Sequence, residues 1–149
     1  MIAYRISLAK WAGHLTASGR AARWNSNGHF MIYAASTRAL ACLENLVHRR
    51  SIGSDDLFEV TLIEIPDDLK IKKIDKEKLP ANWQQYIHYP SCQAIGDAWL
   101  KGNKTAVLRA PSAIITEEFN YLLNPQHPDF NRIKAHAAEK FMFDERLLK

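Results

Sequence analysis

Cysteine is scarce: Cys42 and Cys92 are the two in 149 residues. Two thiols supply neither a disulfide framework nor a thiolate zinc cluster, and they suit a reducing cytoplasm. Long apolar runs are absent. None approaches the ~20 residues of a membrane-spanning helix, and Arg5 and Lys10 break up the opening MIAYRISLAKWAGHL, so neither a membrane protein nor a secretory leader is expected. Glycine-rich phosphate loops are missing in both the GxGxxG and the Walker form. His14, His29, His48, His88, His127 and His136 show no HExxH spacing, so no metal site is expected, and no serine stands in a nucleophile elbow. Repeats, linkers and low-complexity segments are also lacking, which leaves one domain, long enough to bury a single core.

What is present is a mixed globular pattern with a basic balance. The net charge of +4 and a pI of about 9.1 permit an anionic ligand or partner without choosing among nucleotide, nucleic acid and acidic protein. Ile2–Ile6 alternates as a strand, with Tyr4 and Ile6 on one face and Arg5 on the other. Trp11 to Ser18 reads as a short helix ending at Gly19. Phe30 to Ala35 is a short apolar strand; Ser36 or Thr37 then caps a helix running through Leu40, Leu43, Leu46 and Val47. His48-Arg49-Arg50-Ser51 is a basic helix end that complements the helix dipole. Phe58 to Ile65 is the clearest strand, and Lys70 to Lys78 reads as a solvated connection of mixed charge with a strand-like Ile71/Ile74 patch. Gln93 to Leu100 is a helix, Thr105 to Ala110 a strand stopped by Pro111, Asn120 to Phe130 a stretch dense in turn formers, and Phe141 to Leu147 a last strand. Short strands mixed with two or three helices predict a compact α+β domain.

Three places in this pattern carry chemistry. Arg20 and Arg23 bracket Ala21-Ala22 just before Trp24 and the turn Asn25-Ser26-Asn27-Gly28, and a guanidinium fork suits two phosphate oxygens. Glu44 falls at the edge of the stripe formed by Ala39, Leu40, Leu43, Leu46 and Val47, while Arg38 and Asn45 lie opposite. It is either a boundary glutamate reaching water or a half-buried carboxylate that needs partners. Ser112 follows a strand end, either as a plain turn residue or facing a cleft.

Several segments together carry a resemblance. YR at Tyr4-Arg5, RWNSNG at Arg23 to Gly28, IYAASTRALACLENLVH from Ile32 to His48, LPANW at Leu79 to Trp83, QAIGDAWL at Gln93 to Leu100, LRAPSAII from Leu108 to Ile115, NYLLNPQHPDF from Asn120 to Phe130 and FMFDERLL from Phe141 to Leu148 resemble the RES domain, the toxin half of bacterial toxin–antitoxin pairs, named for an arginine, a glutamate and a serine. The likeness covers nearly the whole chain, so one RES domain is expected over residues 1–149. Its departure is Ala21-Ala22, where a glycine pair is usual; RWN favours Arg23 over Arg20 as the family arginine.

The resemblance implies a fold related to ADP-ribosyltransferases and a toxin that breaks the nicotinamide–ribose bond of NAD, by hydrolysis or phosphorolysis, and so halts growth. It implies catalytic roles for Arg23, Glu44 and Ser112 and NAD contacts from Arg5, Arg23, Tyr33 and Ser112. That chemistry is coherent: bond cleavage builds positive charge on the ribose, a carboxylate stabilises it, an arginine holds the pyrophosphate, and an aromatic such as Tyr33 stacks on nicotinamide. No cofactor is implied beyond NAD as substrate, with inorganic phosphate as co-substrate if the reaction is phosphorolysis. The implied partner is an antitoxin with an Xre-like helix-turn-helix domain whose C-terminal segment covers the cleft near Arg23; DNA binding belongs to that partner, a homodimer is left open, and the setting is the cytoplasm. The alternatives are a protein ADP-ribosyltransferase toxin and, suggested by the pI, a nucleic-acid-targeting toxin.

Overall fold

The computed structural model describes residues 1–48 and 57–148. Among the described residues are eight strands and two α-helices: β1 (Ile2–Leu8), β2 (Ile32–Ala35), α1 (Arg38–His48), β3 (Phe58–Glu64), β4 (Ile71–Lys73), α2 (Tyr89–Gly102), β5 (Val107–Pro111), β6 (Phe119–Leu123), β7 (Lys134–Ala135) and β8 (Glu139–Phe141). They form one mixed sheet in the order β4-β5-β6-β2-β1-β3-β7, with β8 beside β3. β4 runs parallel to β5, and every other pairing is antiparallel. The α+β class expected from the mixed pattern is the class observed.

The register explains both the core and the site. Along β6, Leu122 and Leu123 face opposite ways; along β2, Ile32 and Ala34 oppose Tyr33 and Ala35. One face gathers Ile32, Ala34, Ile63, Val107 and Leu123 under Leu15, Ala17, Phe130 and Ile133. The other carries both helices: Cys92 and Trp99 of α2 pack on Leu108, Ala110 and Leu122, while Leu40 and Ala41 of α1 pack on Ile6, Ala35 and Val60. β1 pairs with β3 along its whole length, from Ile2↔Glu64 to Leu8↔Phe58, but with β2 at Tyr4↔Ala35 alone. The sheet therefore parts between β1 and β2 at the point where α1 crosses.

Several expectations are corrected. Trp11 to Ser18 is not a helix; a single 3-10 turn at Ala9–Trp11 is followed by irregular chain, because Gly13 (φ 74°) takes a left-handed turn that a helix cannot continue. Asn120 to Leu123 is not turn but part of central strand β6; the turn formers take effect from Asn124 onward, and pairing with both β2 and β5 overrides local propensity. The strand-like patch at Ile71 is edge strand β4, Ile71–Lys73, with Lys72 and Lys73 exposed as the charged segment predicts. The last strand is Glu139–Phe141, and Glu145–Leu148 is a 3-10 turn. Pro111 ends β5 inside the ladder, opposite Phe119. Of the predicted basic helix end, Arg49, Arg50 and Ser51 lie outside the described residues.

Candidate active site

A cavity of about 310 Å³ opens where β1 and β2 part. Its walls include Arg5 and Ile6 of β1, Arg23 and Trp24 of the preceding loop, Tyr33 of β2, Asn120 of β6, and Ala41, Glu44, Asn45 and His48 of α1. The last four recur at i, i+3, i+4 and i+7, so they share one helix face. That face is rotated from the one the sequence predicted: Val47 is 65% exposed, and Asn45 turns toward the sheet and donates to the Ile6 carbonyl at 2.9 Å. Thr37, the predicted cap, accepts from the Leu40 N–H at 3.0 Å and fixes where the helix starts.

Glu44 is half-buried and is held as a carboxylate. Its Oε1 accepts from Asn120 Nδ2 at 2.6 Å and from Ser112 Oγ at 3.0 Å; its Oε2 lies 3.6 Å from His48 Nε2, one helical turn away. Burial alone would push its pKa up, but the neighbouring His48 and the hydrogen bonds from Asn120 and Ser112 outweigh it and leave the group below the ordinary glutamate value. Donors to an ionised oxygen are worth about 1.5–3 kcal/mol each, enough to offset partial desolvation.

Ser112 is wholly buried behind this carboxylate. Its hydroxyl donates to Glu44 and accepts from the N–H groups of Ile114 and Ile115 at 3.1 and 3.3 Å. It is neither a plain turn residue nor part of the cavity lining: its hydroxyl is engaged within the protein, on Glu44 and on the following turn. Asn120, which also donates to Glu44, was missed, because it sits in a stretch that reads as turn. Its signal is the invisible one of cross-strand register, Ala35↔Asn120, which sets it beside α1.

Arg23 lines the cavity with its guanidinium braced from behind. Nη1 donates to the Trp83 carbonyl at 3.0 Å and Nη2 to the Gln84 carbonyl at 2.8 Å, while the Tyr89 and Trp83 rings lie 4.5 and 5.6 Å from Cζ. Two of its five N–H groups are therefore spent on backbone. Arg5 spends one, on the Thr16 carbonyl at 3.0 Å, and burial holds its pKa below the ordinary value. Arg20 does not line this cavity; its carbonyl accepts from Asn25 at 2.9 Å. Asn25, 1% exposed, also donates to the His29 carbonyl at 2.9 Å and accepts from Tyr33 Oη at 2.6 Å. Tyr33 Oη in turn accepts from the Trp24 N–H at 3.1 Å. Burial raises the Tyr33 pKa well above the ordinary 10.0, so this residue offers the cavity a ring face and no titrating proton. Chemically, the site combines a preorganised carboxylate, two guanidinium groups and an aromatic wall.

The model of the RES domain matches residues 2–144. A Sphingobium sp. protein named Prs ADP-ribosylating toxin is 38% identical over 85% of this chain and 80% of its own. Proteins named Toxin Res from Yersinia enterocolitica and Pseudomonas putida are 35% and 34% identical, each over 99% of both chains. Among solved structures, a chain of the M. tuberculosis MbcT–MbcA toxin–antitoxin complex shares the fold, with a TM-score of 0.74 at 16% identity over 95% of this chain and 84% of that one. Matched by the RES domain model from residue 2 to residue 144, the chain belongs to the RES domain family.

Proposed function

We propose that the protein is the toxin of a toxin–antitoxin pair and that it cleaves the nicotinamide–ribose bond of NAD. The observation that carries the reading is the Glu44 carboxylate: anchored through Oε1 by Asn120 and Ser112, it keeps Oε2 beside His48 on the wall of a cavity that also holds Arg5 and Arg23. As nicotinamide leaves with the bonding pair, positive charge grows on the ribose, and a fixed anion stabilises that charge without reorganising. Arg5 and Arg23 favour the pyrophosphate, which puts the ribose in position. The Tyr33 ring, which lines the cavity with its hydroxyl anchored on Asn25, stacks on the nicotinamide. Water or inorganic phosphate then attacks the anomeric carbon and gives ADP-ribose or its 1-phosphate. Ser112 acts through Glu44 and not on the substrate.

Incubation of the purified protein with NAD, with and without phosphate, should release nicotinamide. No release under either condition, nor with protein acceptors added, overturns the reading. The name of the Sphingobium relative supports a second one, in which a protein side chain takes the ADP-ribosyl group. Label moving from adenine-labelled NAD onto protein, in preference to free ADP-ribose, would decide for it. Salt-dependent RNA binding or cleavage without NAD turnover would instead favour a nucleic-acid target.

A further inference from the structure

The 310 Å³ of the cavity stand at the lower end of the roughly 300–1,000 Å³ typical of ligand pockets. A dinucleotide is two nucleosides joined by a pyrophosphate, so a cavity of this size takes one nucleoside and leaves the other outside. Just outside stands an aromatic ledge. Tyr86 is 81% exposed on the 3-10 turn Tyr86–His88, and its ring lies 4.6 Å from that of Tyr89 at 41°. Tyr89 also lies against the Arg23 guanidinium, whose Cζ is 4.5 Å from its ring. The stack Arg23–Tyr89–Tyr86 thus runs from the cavity wall to the surface without a gap. The ledge is tied to the site at its root, because the carbonyls just upstream, of Trp83 and Gln84, are those that brace Arg23. A tyrosine held against a second ring, with its outer face open to water, is a stacking surface for any flat base.

Resting on the NAD reading above, we propose that Tyr86 and Tyr89 form the platform for the adenine end of the dinucleotide, with the pyrophosphate passing Arg23. The test uses Tyr86→Ala and Tyr86→Phe, with folding checked by circular dichroism. Calorimetry measures binding of ADP-ribose and of ribose 5-phosphate; turnover is measured with NAD and with nicotinamide mononucleotide, which lacks the adenosine half. Tyr86→Ala should weaken ADP-ribose on the order of tenfold and raise KM for NAD by a similar factor with little effect on kcat. It should move ribose 5-phosphate and the mononucleotide far less, and Tyr86→Phe should stay close to the parent. The proposal is overturned if the parent binds no ADP-ribose, if Tyr86→Ala binds it as the parent does, if the mononucleotide suffers equally, or if Tyr86→Ala loses only the capture of a partner protein. The NAD reading fails separately: Tyr86-dependent binding of ADP-ribose without release of nicotinamide would sink the catalysis and keep the platform.

Discussion

At the scale of residues, Glu44 is where the chemistry concentrates. Glu44→Gln keeps size and hydrogen bonding but removes the charge, and losing one preorganised electrostatic group costs about 10²–10³ in rate. Nicotinamide release should fall by that factor with NAD binding mostly retained; parental turnover by a folded Glu44→Gln protein would return Glu44 to an ordinary boundary residue. Its depressed pKa has a sign that can be measured. A carboxyl with a lowered folded-state value adds stability above its ordinary 4.5, and that stability is lost as pH falls through the lower folded value. The acid limb of kcat/KM should therefore lie below 4.5 in the parent and move upward in Asn120→Ala, which removes the donor at 2.6 Å. An acid limb unmoved by that substitution would show that Asn120 does not tune Glu44. Ser112→Ala should shift the limb too, and it should also lower the melting point, because the Ile114 and Ile115 N–H groups lose their acceptor.

At the scale of elements, the loop that carries Arg23 is docked on α2 with little tolerance. Ser26 donates from both N and Oγ to Asp97, Gln93 donates to the Ala22 carbonyl at 2.9 Å, and a Cβ on Gly96 would lie 1.7 Å from the Trp24 carbonyl oxygen. Backbone cannot yield as a flexible side chain can, so Gly96→Ala must push the loop off the helix. A loss of about 1–3 kcal/mol is expected, with a rise in KM for NAD larger than any fall in kcat. Unchanged melting and unchanged KM would mean that the loop is not held by this approach. In sequence Gly96 passes as one weak residue in a helical stretch; the reason for it is a carbonyl 72 positions upstream.

At the scale of the whole molecule, the NAD cleavage proposed above would harm the cell that makes the protein, so an inhibitor is expected with it. An antitoxin with an Xre-like helix-turn-helix domain, its C-terminal segment over the cleft near Arg23, should co-purify and abolish nicotinamide release. Co-purification that leaves NAD cleavage unchanged would refute occlusion. Among the described residues no helix is long and apolar enough to cross a membrane. Burial pushes the thiol pKa values of Cys42 and Cys92 up, which disfavours the reactive thiolate at both.

How much of this could be read from the chain depends on the range of the forces involved. Local signals were legible: the β3 alternation, the Thr37 cap, the NSNG turn and the helical run that holds Glu44 all depend on neighbours within a few residues. Tertiary structure decided the rest. The rotation of α1 follows from which strand meets it, and an apolar stripe as broad as Ala39 to Val47 does not specify its own centre. Asn120 reads as a turn former until two strands pair with it, and Ser112 reads as a turn or cleft residue until Glu44, 68 positions away, accepts its hydrogen bond. Periodicity fixes what each segment presents, but a carboxylate becomes a site only when long-range register brings donors to one of its oxygens and leaves the other at the cavity.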